Sequence, residues 1–166
     1  MTTKIWTNLD PVDRRRLQRL LAIVVEVLTN EHADARVGAT FNIRNEKRHV
    51  LYDERAGRAV EDLACCYDFY AGEKTFRLVG FPDHVLSWQS SDPANGRYAG
   101  GVRFPNGLVA ALSGYKAEED EAATLWIGVK MDWWTKTDAT NAASISKNPR
   151  YFELFQKFDR LEKSAA

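Results

Sequence analysis

The sequence predicts an α+β fold, a mainly antiparallel sheet with helices packed on it, in a single domain with a C-terminal helical extension. The length of 166 residues suits one domain. Two pairs of strand-like segments are each joined by a turn, and helical periodicity precedes, separates and follows them. We therefore divide the chain into an α+β domain at residues 1–134 and a linker with an amphipathic helix at residues 135–166.

The chain begins with a predicted helix and hairpin. Asp10 is a good N-cap and Pro11 suits the first helical position, after which apolar residues recur at helical spacing. From Val37 to Arg44, apolar and polar residues alternate, which predicts a strand buried on one face. Residues 49–53 are rich in strand-forming side chains and return as its partner.

One long helix, or two abutting helices, is predicted next. Between Val60 and Leu78, apolar residues recur with a helical period, and the same row contains Lys74. Gly80 can end this helix in the left-handed conformation. Residues 82–88 begin with Pro-Asp and predict a short helical turn.

A second hairpin follows a loop at residues 90–97. Gly100–Phe104 and Leu108–Ser113 are rich in strand formers, and Pro-Asn-Gly between them is typical of a tight turn. The acids Glu118–Glu121 then open a further helix. We expect them to be solvated in its first turn, where the helix dipole favours negative charge, and not to converge on a metal ion.

The C-terminal segment is predicted to be a polar connection followed by a helix. Thr135–Asn148 is polar and small and is expected to be mobile. In the last helix, Phe152, Phe155 and Phe158 recur at three-residue spacing. Two interpretations stay open for this aromatic row: it covers the interior of the domain, or it forms a contact in an oligomer.

Composition limits the classes of function. Lys plus Arg and Asp plus Glu both number 23, which argues against nucleic acid as a partner. No apolar run is long enough to cross a membrane, and no signal peptide is evident, so we expect a cytoplasmic protein. Cys65 and Cys66 are adjacent and provide no disulfide framework. The three histidines lack the spacing of a zinc site, and no motif of nucleophilic or phosphoryl-transfer chemistry occurs.

Several segments together resemble the GlcG/HbpS-like haem-degrading-domain family over roughly residues 10–130. The strongest match is Tyr98–Phe104, followed by Gly107–Gly114 and by the acidic helix start. Phe41–Arg44 is similar to the first strand of the family, and Lys74 is similar to its helical lysine. The resemblance implies a profilin-like arrangement in two or three layers, found in small bacterial proteins that commonly form dimers or larger homo-oligomers.

The resemblance also implies a small-molecule partner, with haem or a corrinoid as examples, although no reaction or catalytic residue follows from it. Haem iron would take His, Cys, Tyr or Met as a ligand, and for His84 we favour a surface role over iron binding. We predict a ligand pocket formed by the long helix, the segment around His84 and the Gly100–Gly101 strand. Its residues are the following: Lys74 for a carboxylate or propionate, Tyr67 and Trp88 as apolar walls, His84, Gly100 and Gly101.

A second interpretation assigns the chain to a different class of function. The chain would be a non-catalytic oligomeric interaction module, with the aromatic C-terminal helix as its binding element.

Overall fold

The computed structural model describes residues 8–32, 37–58 and 61–165, with the backbone alone over residues 61–65. In this part of the chain the helices are α1 (Pro11–Glu31), α2 (Glu61–Gly80), α3 (Ala117–Lys130), α4 (Lys136–Ser146) and α5 (Tyr151–Ser164). The strands are β1 (Gly38–Asn45), β2 (Val50–Gly57), β3 (Gly101–Arg103) and β4 (Leu108–Ser113). None of the described helices is both long enough and apolar enough to span a bilayer.

The four strands form one antiparallel sheet in the order β2-β1-β4-β3. Both predicted hairpins are present, and pairing of β1 with β4 joins them, with Phe41 opposite Leu112. Helix α2 packs on one face of the sheet, while α1 and α3 pack on the other and are themselves covered by α5. The predicted α+β class is confirmed.

Strand β1 differs from its prediction because it is buried on both faces. Its alternation was expected to mark one buried and one solvated face, but seven of its eight residues are buried. Its apolar side chains belong to the core beneath α1, whereas its polar side chains face α2. There Thr40 donates to Asp68 at 2.6 Å, and Asn42 accepts from Thr75 at 2.7 Å. Polar residues in this strand therefore bind a helix instead of water.

The polar stretch at residues 135–148 forms helix α4, so the prediction of a mobile connection is wrong. The Thr135 hydroxyl accepts from the Asp138 N–H at 3.1 Å, and the Asp138 carboxylate accepts from the Thr135 N–H at 3.2 Å. This reciprocal cap stabilises the first turn. Small side chains give the helix its packing face, because Ala139, Ala142 and Ala143 are all buried.

Helix α5 covers the interior of its own domain. Phe155 and Phe158 are buried, and the Phe158 ring lies 5.2 Å from that of Trp126 on α3. Phe152 is 65% exposed, since the buried stripe follows Tyr151 and Leu154 and not the three-residue row. The interior interpretation therefore holds for Phe155 and Phe158.

The long helix α2 is confirmed, although its predicted beginning at Val60 lies outside the described residues. The segment after it is a turn at residues 82–83 and a 3-10 helix at Ser87–Ser90. A second short 3-10 helix occupies Pro93–Asn95. The guanidinium of Arg103 binds the carbonyls of Leu78 and Phe81 at the end of α2, which fixes β3 to that helix.

Candidate functional site

The acidic turn that opens α3 is largely buried, so the prediction of four solvated carboxylates is wrong. Glu119, Asp120 and Glu121 are each at most 2% exposed. The cause lies in the helix that carries them, because every residue of α3 from Ala122 to Gly128 is buried. A helix that is apolar on all sides lies in the interior, and its first turn is buried with it.

Asp120 forms a buried ion pair with Lys74. The Lys74 ammonium donates to the Asp120 carboxylate at 2.9 Å and to the Leu112 carbonyl at 2.8 Å. The Tyr115 N–H also donates to Asp120, at 3.1 Å. Burial raises the pKa of Asp120 to about 6, although the ammonium and the Tyr115 N–H favour its charged form. Lys74 therefore joins α2 to α3 across the end of β4.

Two glycines bring the backbone onto this pair. Gly100 has a φ of +120°, and a Cβ there would lie 2.7 Å from the Asp120 Cβ and 2.9 Å from the Lys74 ammonium. Gly101 donates its N–H to the Ser87 hydroxyl at 2.9 Å. Only glycine allows the chain to approach so closely at position 100.

Immediately beside Gly100 lies a cleft of about 460 Å³ between the residue 88–99 segment and the facing ends of α3 and α4. Such a volume is in the range of small-molecule sites. Trp88 and Tyr98 contribute partly exposed rings, 43% and 37% exposed respectively. Acids and hydrogen-bonding side chains of the opposite wall are Glu118, Glu121, Ser146 and Asn148.

Arg77 holds the aromatic wall of this cleft in place. Its guanidinium, which is buried on α2, donates to the carbonyls of Ser87 at 2.7 Å and of Tyr98 at 2.6 Å. Glu73 in turn accepts from the Arg77 Nε at 2.6 Å. Because Ser87 precedes Trp88 in the chain, a single side chain positions the backbone beside both aromatic residues.

The opposite wall is fixed by hydrogen bonds to Glu121. Its Oε1 accepts from the Ser146 hydroxyl at 2.5 Å and from Asn148 Nδ2 at 2.9 Å. Asn148 also donates to the Glu118 carbonyl at 2.8 Å. The end of α4, predicted to be a mobile linker, thus forms part of the cleft wall and is hydrogen-bonded to α3.

The six residues predicted to bind a ligand do not all line this cleft. Trp88 lines the cleft, and Gly100 and Gly101 lie next to it on the buried side. Lys74 directs its ammonium to Asp120. Tyr67 is half-buried on α2.

His84 lies in the segment that precedes the 3-10 helix at Ser87–Ser90. Its ring stacks on Phe81 with centroids 5.0 Å apart. Its Nδ1 is buried and has no hydrogen-bond partner among the described residues. This histidine is not among the residues that line the cleft.

Two other depressions lie along α1. One, of about 660 Å³, adjoins Val37 and Arg58 at the limits of the described residues and is lined mainly by small and aliphatic side chains. A second, of about 380 Å³, lies between α1 and α5. Neither has an aromatic wall, and within residues 8–32, 37–58 and 66–165 no three potential metal ligands converge.

The chain shares its fold with PduOC. That protein has been solved in complex with haem, and the two structures superpose with a TM-score of 0.53 over 78% of this chain and 96% of the other. Sequence identity is 14%, so the likeness is one of fold. No family model matches the chain, and no curated protein matches its sequence.

Sequence reasoning missed Tyr98, Arg77, Glu118 and Glu121 as parts of one site. One signal was present, since the four acids precede a helix whose residues are almost all apolar or small. That pattern indicates burial of the first turn as well. Nothing in the sequence indicated that Asn148 would close the same cleft from 27 residues further along the chain.

Proposed function

We propose that the protein is a small-ligand-binding domain and that its ligand occupies the cleft between Trp88 and Glu121. The observation that carries this proposal is the cleft itself, in which partly exposed rings face a buried carboxylate across a volume suited to a small molecule. Membership of the GlcG/HbpS-like family is part of the proposal. It is supported by the fold shared with PduOC, which was solved with haem.

Haem itself does not fit this cleft. Haem carries two propionates, whereas the charged side chains that line the cleft are the carboxylates of Glu118 and Glu121, and the predicted propionate partner Lys74 is buried against Asp120. The predicted iron ligand His84 does not line the cleft. We therefore assign no chemistry through haem to these residues, and the ligand is expected to be another molecule.

The alternative function, an interaction module that uses the aromatic C-terminal helix, is not favoured. Phe155 and Phe158 lie within the domain, which leaves Phe152 as the exposed ring of that row. A homo-oligomeric state and a cytoplasmic location stay predictions.

Fragment binding would test the proposed site. We would titrate a mixed set of small aromatic and aliphatic fragments, with haemin and cobalamin included, and follow two signals by ¹H–¹⁵N NMR: the indole N–H of Trp88, and the backbone N–H of Ala99 on the cleft wall, which is also present in variants without Trp88. A Trp88→Phe variant assigns the indole signal. We expect several fragments to shift both signals and to cluster at the cleft, with affinities that fall by about tenfold in Trp88→Ala because a wall of the site is lost.

The matched control is Phe152→Ala, which removes an exposed ring from α5 and should leave every fragment affinity unchanged. If no compound in the set shifts the Trp88 signal, the cleft is not a ligand site and the proposal is wrong. Equal losses in Trp88→Ala and Phe152→Ala would contradict it as well.

A further inference from the structure

The four acids that open α3 differ in whether the protein supplies a counter-charge. Glu119 lies 2.8 Å from the His32 ring and 4.0 Å from the Arg150 guanidinium, and Asp120 pairs with Lys74. Glu118 and Glu121 have no cationic side chain within 4.0 Å among the described residues. These last two are the acids that line the cleft.

Glu121 needs a counter-charge more than Glu118 does, because it is only 1% exposed. A buried carboxylate is costly unless it is paired, and its partners here are the neutral donors of Ser146 and Asn148. Both hydrogen bonds end on Oε1, so Oε2 accepts none from the described residues. Burial, with the nearby charge of Glu118, raises the pKa of Glu121.

The aromatic wall complements such charge. The faces of tryptophan and tyrosine rings attract cations, and an organic cation between a ring and a carboxylate gains from both. Ala117 and Glu118 lie in the first turn of α3, whose dipole contributes about half a positive charge. The charge of two carboxylates exceeds that contribution, so this pair of acids favours a cation over an anion in the cleft.

We propose that the cleft selects a small organic cation, an ammonium or guanidinium group on an apolar body, which lies against Trp88 and Tyr98 and is balanced by Glu118 and Glu121. This inference rests on the proposed function, since it names the ligand class of the same cleft. The cation supplies the counter-charge that the described part of the chain does not direct to these two acids.

Three probes of nearly equal size separate charge from shape: benzylammonium, benzyl alcohol and benzoate. Each is titrated into the wild-type protein at neutral pH, and its affinity is read from the Trp88 indole signal. We expect benzylammonium to bind about tenfold more tightly than benzyl alcohol, and benzoate to give no measurable shift. Equal or tighter binding of benzyl alcohol or benzoate would overturn the inference.

Variants that remove one carboxylate charge then test whether Glu118 and Glu121 cause the preference for the cation. Glu121→Gln and Glu118→Gln should each reduce the preference for benzylammonium over benzyl alcohol by several-fold. Asp132→Asn is the matched control, because it removes an exposed carboxylate on the turn after α3 and should leave the preference unchanged. An unchanged preference in Glu118→Gln and Glu121→Gln alike would contradict the assignment.

The two proposals fail in different ways. If other fragments shift Trp88 but benzylammonium does not, the cleft binds ligands of another class and only the inference is wrong. If nothing shifts Trp88, the proposed function fails and the inference fails with it.

Discussion

Two regions meet at the start of α3, and they differ in whether a cationic side chain pairs with the buried acid, Asp120 in one region and Glu121 in the other. On the inner side of Gly100, Asp120 is held by a lysine, a backbone N–H and close-packed backbone. On the outer side, Glu121 lies as deeply, its hydrogen-bond partners within the described part of the chain are the neutral donors of Ser146 and Asn148, and an open cleft adjoins it. The comparison shows that one acid at the start of α3 is compensated by a lysine within the fold, whereas the other belongs to the proposed ligand site.

Among the variants that test this comparison, removal of the Lys74 ammonium should cause the largest loss of stability. In Lys74→Met the Asp120 carboxylate stays buried without its cation, and we expect a loss of about 3–5 kcal/mol in the free energy of unfolding. Urea denaturation measures it. Adding Asp120→Asn should recover part of the loss, because the carboxylate charge that Lys74 balances is then removed as well.

Lys130→Met provides the matched control, since Lys130 pairs with Asp159 and Glu162 where all three side chains are partly exposed to solvent. Its loss should stay below about 1 kcal/mol. A comparable loss in both variants would show that the Lys74–Asp120 pair is no more important than a surface contact.

Crowding at Gly100 should produce the next largest effect. Gly100→Ala places a methyl group against Asp120 and Lys74 at a positive φ, and strain together with overpacking should cost about 2–4 kcal/mol. Thermal or urea unfolding measures the loss, and Trp88 fragment binding reports whether the cleft deforms with it.

Gly96→Ala separates backbone strain from overpacking as the cause of the loss. Gly96 also has a positive φ, of +71°, but the atom nearest to an alanine methyl group there would be a Tyr70 ring carbon at 3.8 Å. A cost of about 1 kcal/mol is expected at this position from backbone strain alone. If both alanines cost the same, close approach to the ion pair is not what requires glycine at position 100.

The elements of the fold were more predictable than the site because they depend on local patterns. The caps of α1, the helical row of α2 and the Pro-Asn-Gly turn are all encoded by residues near one another in sequence. The site is assembled from segments between residues 88 and 149, and the facing of Trp88 and Glu121 depends on how α3 and α4 dock.

For Lys74, the sequence predicts the position in the helix but not the acid that pairs with it. Its place in an apolar helical row was predicted, and it was expected to bind a carboxylate or propionate of a ligand, but a single sequence does not show that an acid of the same chain would pair with it. Of four consecutive acids, helix geometry directs each to a different neighbour, so only the packing of α3 identifies Asp120 as the partner. The same packing leaves Glu121 facing the cleft.

The smallest expected effect is a change in stability with pH in Glu121→Gln. It is also the most discriminating, because the prediction concerns whether stability rises or falls. Burial raises the pKa of Glu121 in the folded protein above the ordinary glutamate value of 4.5. The folded state therefore binds more protons than the unfolded state above that value, and the contribution of Glu121 to stability falls as pH rises. Glu121→Gln removes this contribution while its amide oxygen can still accept from Ser146 and Asn148.

We expect Glu121→Gln to match the wild type at about pH 5 and to exceed its stability by up to about 1 kcal/mol at about pH 8, measured by urea denaturation. Other groups titrate in both proteins and cancel in the difference. Glu119→Gln should lose stability at both pH values, because that carboxylate has His32 and Arg150 beside it. If Glu121→Gln is destabilised at high pH in the same way, the folded protein already compensates the charge of Glu121, and the distinction between the two sides of Gly100 does not hold.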